Sequence, residues 1–149
     1  MPVKQISPVD TKKLLDSTDG AVYLDVRSTV EFDQGHVPDA LNIPILDVDP
    51  ASQQMVPNPD FLSVVEAVLP KDRHIICGCA TGGRSNRAAE IMSRAGYEGV
   101  QNMVGGFSGA RDPMGRLVAE GWCDLDLPVS TESNETTSYA SLGRRQSRS

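Results

Sequence analysis

The stretch from residue 74 to residue 95 constrains the fold most, because a strand, a glycine-rich turn and a helix follow one another directly. The run "HIICG" (74–78) is short and apolar, as expected of a strand with both faces covered. In the helix, apolar residues recur at helical spacing: Ala88, Ile91, Met92 and Ala95. Since parallel strands are joined by crossover helices, this unit predicts a parallel sheet.

The same alternation of strand and helix patterns continues along the chain. Strand patterns lie at residues 3–6, 21–26, 41–43, 74–78 and 100–104. Helix patterns lie at residues 7–17, 59–70 and 84–95, with one helical turn at 29–33, and a helical turn plus loop is expected at 107–122. We therefore predict an α/β fold with a mainly parallel central sheet and helices on both faces.

The length and the charge of the chain restrict its function. A chain of 149 residues fits one domain. Its net charge of -6 disfavours nucleic acid and anionic membranes as partners. No apolar run approaches the roughly 18 residues of a membrane span, and the N-terminus lacks the apolar segment of a signal peptide. We therefore expect a cytoplasmic protein with no nucleic-acid and no membrane partner.

The composition changes after Pro128. Residues 130–149 are rich in serine and threonine and contain almost no large apolar side chains. Such a segment buries too little apolar surface to offset the entropy lost on ordering. We therefore predict a domain over residues 1–129 and a disordered, solvated tail over residues 130–149.

The turn after the 74–78 strand carries two of the three cysteines, in "CGCATGGRS" (77–85). Sheets of this kind bind ligands at the carboxyl ends of their strands. The two glycines let backbone N–H groups point inward, and the next helix adds its own free N–H groups. Cys79 opens this loop, where its ionised, nucleophilic form is favoured. Cys77 lies roughly 6 to 7 Å further back in the strand, so we expect it to be a buried apolar residue.

The sequence indicates neither a metal site nor a histidine base. A zinc site at Cys77 and Cys79 would need two more ligands, and the chain's other cysteine and its histidines have no recognisable metal spacing. His74 precedes Cys79 by roughly 16 Å of extended strand, which is out of reach. His36 lies in an irregular segment, so distance alone does not rule it out as a base, but we expect it to make structural hydrogen bonds. No metal and no cofactor is therefore expected.

Three stretches of the sequence resemble the single-domain rhodaneses, a family of sulfurtransferases. Residues 79–85 match the family pattern Cys-x-x-Gly-x-Arg-Ser, between a strand and a helix. The stretch "LDVRSTVEFDQGHVPDALNIP" (24–44) matches Asp-x-Arg, then Glu-Phe, then Gly-His-Ile-Pro. The stretch "GYEGVQNMVGGFSG" (96–109) matches a strand that ends in a Gly-Gly pair beside the active site. Asp39 stands where the family usually has glycine, and aspartate tolerates the left-handed backbone conformation.

The resemblance implies a rhodanese-like fold and a sulfurtransferase whose catalytic Cys79 cycles through a persulfide. It implies that the substrate contacts the loop residues Ala80, Thr81, Gly82, Gly83, Arg84 and Ser85. It also implies that Asp25 and Arg27 support the loop from below, and that Arg27 pairs with Glu31. The donor would be thiosulfate or a similar small anion, and the acceptor a thiol or cyanide.

Several alternatives stay open at the level of sequence. Arg84 either steers an anionic donor or braces the loop through a carboxylate. A persulfide carrier with a protein acceptor would need the same residues as the enzyme. Ala80 and Thr81 are neutral where thiosulfate enzymes of the family often have cations, which leaves the donor open. Less favoured are a binding module without catalysis and a phosphatase or arsenate reductase of the same fold, because related phosphatases have one more residue between cysteine and arginine.

Overall fold

The structure is a computed structural model that describes residues 3–18, 20–132, 137–139 and 141–142. Its strands are β1 (Lys4–Ile6), β2 (Val22–Asp25), β3 (Leu41–Asn42), β4 (Leu46–Val48), β5 (Met55–Pro57), β6 (Ile75–Gly78), β7 (Val100–Met103), β8 (Ala110–Arg111) and β9 (Leu117–Ala119). Five of them form the central sheet in the order β1-β7-β6-β2-β3. All neighbours in this sheet run parallel, as predicted.

Helices cover both faces of the sheet, which confirms the predicted fold class. They are α1 (Pro8–Ser17), α2 (Thr29–Gln34), α3 (Phe61–Val68) and α4 (Gly83–Arg94). On one face, α3 and α4 pack on strand residues such as Leu24 and Cys77. On the other face, α1, α2 and the buried Trp122 pack on residues such as Tyr23 and Ile76. Adjacent strand residues thus enter opposite clusters, because side chains alternate along a strand.

Local capping signals begin the first two helices. The Ser7 side chain accepts a hydrogen bond of 3.1 Å from the Asp10 N–H at the start of α1. Ser28 and Glu31 form a reciprocal capping box at the start of α2. Asp39 has φ 66, so it adopts the predicted left-handed conformation. Within the described ranges, no helix has the length and apolar character needed to cross a membrane.

Two small antiparallel pairs lie outside the central sheet, and the second one corrects a prediction. The pairs are β4 with β5 and β8 with β9. The segment 107–122 was expected to form a helical turn and a loop, but it contains β8 and β9. The turn between them is closed by the Asp112 carboxylate, which accepts bonds of 2.9 Å from the N–H groups of Met114 and Arg116. The prediction failed because these strands are too short to show an alternating pattern.

The described residues after 129 differ from the predicted solvated tail. Ser130 and His36 exchange two backbone hydrogen bonds of 2.8 Å. The Tyr139 hydroxyl accepts a bond of 3.0 Å from the side chain of Asn58, and Leu142 is fully buried in the core. The prediction is wrong for these residues because two apolar side chains suffice to anchor the segment. Residues 133–136, 140 and 143–149 of the predicted tail lie outside the described residues.

Candidate active site

Cys79 follows β6 directly, at the carboxyl end of the sheet. The residue before it must be glycine, since a Cβ on Gly78 would lie 1.7 Å from the Tyr23 hydroxyl. The strand therefore passes Tyr23 without a side chain on that face and turns into the loop. Cys79 itself is only 1% exposed. Its sulfur thus lies at the base of the loop and not on the surface.

The loop folds back over the Cys79 sulfur. The backbone N–H of Gly82 donates a hydrogen bond of 3.1 Å to Sγ. This geometry requires φ 108 at Gly82, a left-handed conformation that glycine adopts without strain. The Ser85 hydroxyl, from the first turn of α4, lies 3.3 Å from the same sulfur. Both groups stabilise negative charge on sulfur when they donate to it.

A polar network behind the loop holds Ser85. Its hydroxyl also contacts the side-chain oxygen of Asn102 on β7. Asn102 in turn donates a bond of 2.8 Å to Gln5 on β1, and Gln5 donates one of 2.9 Å to Asn86 on α4. Sequence reasoning missed Asn102, although a polar residue in a strand buried on both faces was a usable signal. The network fixes the hydroxyl that faces the sulfur.

The Gly105–Gly106 turn supports the loop from the side. The N–H groups of Phe107 and Ser108 donate bonds of 2.7 and 2.8 Å to the carbonyls of Cys79 and Ala80. A Cβ on Gly106 would lie 2.6 Å from both of these carbonyl oxygens. Only glycine therefore allows this close approach.

Arg84 pairs with Glu31, and this corrects the predicted Arg27–Glu31 pair. Two bonds of 2.8 and 2.9 Å join the guanidinium to the carboxylate. The Arg84 hydrogen bond lowers the pKa of Glu31 to about 2, although partial burial opposes the shift. Of the two roles left open for Arg84, the contact with a carboxylate is the one present in this structure. Its charge is largely balanced before any donor arrives.

Arg27 instead pairs with Asp25, its neighbour at the end of β2. The Arg27 guanidinium donates bonds of 2.9 and 2.7 Å to the two carboxylate oxygens, and another of 2.7 Å to the Gly35 carbonyl. Its guanidinium carbon lies 4.5 Å from the centre of the Phe107 ring. Both charged residues are buried. The pair therefore supports the Phe107 segment, whose backbone N–H binds the Cys79 carbonyl.

The sequence model of one protein family, described as the rhodanese-like domain, matches residues 7–112 of the chain. The chain belongs to the rhodanese-like family. It is 45% identical over 108 residues to the Arabidopsis thaliana protein HIGH ARSENIC CONTENT 1, mitochondrial, with 71% of this chain and 62% of that protein covered. It is 35% identical over 135 residues to thiosulfate sulfurtransferase 18 of the same plant, with 89% and 88% covered. The chain thus spans less than two thirds of the length of the first of these relatives.

A solved structure has the same fold. The crystal structure of Rv0390 from M. tuberculosis superposes with a TM-score of 0.72 and 28% sequence identity. The match covers 89% of this chain and all of that one (100%). The chain therefore shares its fold with a solved structure, and its family is shown by the match to the rhodanese-like domain.

The other cysteine of the rhodanese loop stretch has the buried position predicted for it. Cys77 is fully buried, and its thiol donates to the Met92 sulfur at 3.8 Å. Burial raises the pKa of Cys77 to about 12, so it stays a neutral thiol. Its environment is unsuited to nucleophilic chemistry.

The remaining predicted site residues line the loop without adding charge. Ala80 is half-buried, while Thr81 and Gly83 are exposed. The ring of His36 makes structural contacts, as predicted. Its two nitrogens each lie 2.8 Å from a backbone carbonyl oxygen, those of Phe32 and Glu132. Among the described residues, no cluster of three or more histidine, cysteine or acidic side chains is placed to hold a metal.

Proposed function

We propose that this rhodanese-like domain transfers a sulfane sulfur through a persulfide on Cys79. The Cys79 thiolate attacks the outer sulfur of thiosulfate, and a bond forms between the two sulfurs. The sulfur–sulfur bond of thiosulfate breaks, and its electron pair leaves with sulfite. The observation that carries the proposal is the Cys79 sulfur facing the Gly82 N–H and the Ser85 hydroxyl inside a closed loop.

In the second step an acceptor removes the outer sulfur. A thiolate or cyanide attacks that sulfur, a new bond forms to the acceptor, and the electron pair of the persulfide bond returns to Cys79. The loop N–H groups and the α4 dipole stabilise the anionic persulfide between the two steps. Charge balances at each stage, so no base, metal or cofactor is needed.

In this proposal Arg84 acts mainly by bracing the loop. Its bidentate pair with Glu31 ties the start of α4 to α2, across 53 positions of sequence. The loop N–H groups then supply most of the attraction for the donor. The relatives named thiosulfate sulfurtransferases support thiosulfate as the donor to test first.

A mass spectrum tests the proposal. Incubation with thiosulfate should add the mass of one sulfur atom to the peptide that contains Cys79, and cyanide should remove it. Cys79→Ser should abolish both the adduct and thiocyanate production. Cys77→Ala is the matched control, because it replaces the buried thiol with a small apolar group and should keep most of the turnover. Equal loss of turnover in the two folded variants would overturn the role of Cys79.

Loop size separates sulfur transfer from phosphate or arsenate chemistry. Four residues stand between Cys79 and Arg84, one fewer than in the related phosphatases. A smaller ring of N–H groups suits one sulfur atom better than a tetrahedral oxyanion. The name of one relative refers to arsenic, so arsenate is the oxyanion to test beside an aryl phosphate. Faster turnover of either one than of thiosulfate would contradict this proposal.

A persulfide carrier for a protein acceptor is the second candidate. A groove of about 700 Å³ lies beside the Arg84–Glu31 pair, and Leu46 and Val48 also line it. Val30 and Met55 on its rim are 55% and 43% exposed. Apolar rims of this kind suit a protein surface better than a small anion. In a carrier, small thiols should remove the outer sulfur of the persulfide only slowly, whereas in the enzyme they should remove it within one turnover.

A further inference from the structure

A second cavity lies at the edge of the sheet opposite to Cys79. It has a volume of about 700 Å³, which is within the usual range for small-molecule sites. Its wall includes Ala21 and Val22 at the amino-terminal end of β2, and Arg73 just before β6. Arg73 precedes Cys79 by six residues, or roughly 20 Å of extended chain. The cavity is therefore separate from the proposed sulfur-transfer site.

Arg73 is the unusual group in this wall. Its Nη1 atom is buried and has no hydrogen-bond partner. No hydrogen bond or ion pair joins the guanidinium to any other residue in the part of the chain that the structure describes. A guanidinium is always charged and carries five N–H donors in a planar fork. The buried Nη1 has no partner in the protein, so it is available to donate a hydrogen bond to an anion in the cavity.

The other charges of the cavity do not supply that anion. Lys12 and Asp16 also line it, but they pair with each other one helical turn apart on α1. Asp39 lines it as well and makes no ion pair with Arg73. The Arg73 side chain packs along Gly20, whose added Cβ would lie 3.7 Å from its Nε. The side chain thus lies along the wall, with its Nη1 atom buried there.

The rest of the wall is mainly apolar. It includes Leu15, Val37, Pro38, Leu41, Val68, Leu69 and Trp122. A ligand with only an anionic group would leave this surface uncovered, and a wholly apolar one would leave the guanidinium unpaired. The ligand that complements this cavity therefore has an anionic group and an apolar body.

We infer that this cavity binds an organic anion with an apolar body. Its carboxylate or sulfonate would accept two hydrogen bonds from the Arg73 fork, and its hydrocarbon part would cover the apolar wall. Charge-assisted bonds of this type are the strong ones, and the apolar surroundings strengthen them. The inference does not depend on the proposed sulfur transfer.

Fluorescence titration with anilinonaphthalene sulfonate tests this site, because the probe combines a sulfonate with an aromatic body. One probe should bind per chain. Arg73→Gln should weaken its binding about tenfold or more, which is the expected loss of a charge-assisted hydrogen-bonded pair. The uncharged analogue N-phenylnaphthylamine should bind both proteins within about twofold, since it has no group for the fork.

Three further variants make the result decisive. Arg94→Gln removes an exposed cation that does not line the cavity and should leave both titrations unchanged. Arg73→Lys should restore only part of the sulfonate affinity, because an ammonium lacks the planar fork. Ala21→Phe fills the cavity and should block both probes. Unchanged sulfonate binding in Arg73→Gln, or in a folded Ala21→Phe, would overturn the inference.

Thermal unfolding without any probe gives an independent readout. If Arg73 has no partner, Arg73→Met should leave the melting temperature unchanged or raise it, because an unpaired half-buried charge is removed. A lower melting temperature would mean that the guanidinium already makes a stabilising interaction, and would overturn the inference.

Discussion

Cys77 and Cys79 are two residues apart and occupy opposite chemical environments. Cys77 lies inside the sheet against Met92, where burial raises the pKa of its thiol to about 12. Cys79 lies one step past the strand, where a backbone N–H faces its sulfur. The difference arises from position alone, because the side chains are identical. The nucleophilic role proposed for Cys79 therefore rests on the backbone that surrounds its sulfur.

Glu31 is the single residue whose removal best tests the bracing role of Arg84. Glu31→Gln keeps an oxygen that can accept from the Ser28 N–H, so the helix cap survives while the charge pair is lost. We expect a loss of about 1 kcal/mol in the free energy of unfolding at neutral pH, because the pair is partly screened by solvent. Turnover should also fall, since the loop is less firmly held.

The pH dependence of the Glu31 effect follows from the direction of its shift. The folded-state pKa is about 2, below the ordinary value of 4.5, so the pair stabilises the fold above pH 4.5. This contribution is lost as the pH falls from 4.5 towards 2. Urea unfolding at pH 6, 4 and 3 should show that the free energies of unfolding of the unaltered protein and of Glu31→Gln converge only at low pH (roughly below 4.5). Glu66→Gln is the control, because its pair with Lys71 is more exposed. A difference that persists unchanged at the lowest pH would contradict the charge pair.

At the scale of elements, the site depends on two segments that meet edge to edge. The Cys79 loop and the Gly105–Gly109 segment share hydrogen bonds that run from Phe107 and Ser108 to the loop carbonyls. These carbonyls would otherwise be unsatisfied in a buried site. The second segment is thus part of the proposed active site, although none of its side chains faces the sulfur through a hydrogen bond.

Gly106→Ala should damage this contact and the activity with it. Gly106 has φ 63, and the added methyl group would overlap the loop carbonyls of Cys79 and Ala80. We expect a loss of about 2 kcal/mol or more in unfolding free energy and at least a tenfold loss of sulfur transfer. Gly115→Ala is the matched control, since its φ is 83 but nothing lies within 4 Å of its added Cβ. Its cost should be about 1 kcal/mol, with no loss of turnover. Equal effects of the two variants on turnover would contradict the packing argument.

At the scale of the whole molecule, the described residues after 129 pack against the rest of the domain. Tyr139 binds Asn58, and Leu142 enters the same buried cluster as α3 and α4. The segment therefore contributes to the core although most of its residues are polar. Its apolar content is low, but the positions of the few apolar residues decide the outcome.

Leu142→Ala should destabilise the domain by about 2 to 5 kcal/mol, the usual cost of truncating a fully buried leucine. Val129→Ala is the control, because Val129 is 50% exposed and its truncation should cost under about 1 kcal/mol. Chemical denaturation of both variants measures the difference. Equal stabilities would mean that the segment is solvated, as the sequence suggested.

The sequence by itself determined the features that depend on near neighbours. The strand before Cys79, the glycine turn and the start of α4, predicted at residue 84 and found at Gly83, follow from patterns within about twenty residues. Local propensity, capping and side-chain alternation operate over this range, so a single segment contains the information. The prediction that Cys79 and not Cys77 is the nucleophile is also local, because it depends only on the distance from the strand end, and it stays a prediction.

Only the tertiary structure decided the interactions between distant residues. Two arginines and two carboxylates lie near the site, and the sequence allows more than one pairing. The structure joins Arg84 to Glu31 and leaves Arg27 with Asp25, because the α2 capping box turns the Glu31 carboxylate towards α4. The Ser85–Asn102 contact, the burial of Leu142 and the unpaired Arg73 are of the same kind. Each depends on which elements meet in space, and no local pattern specifies that.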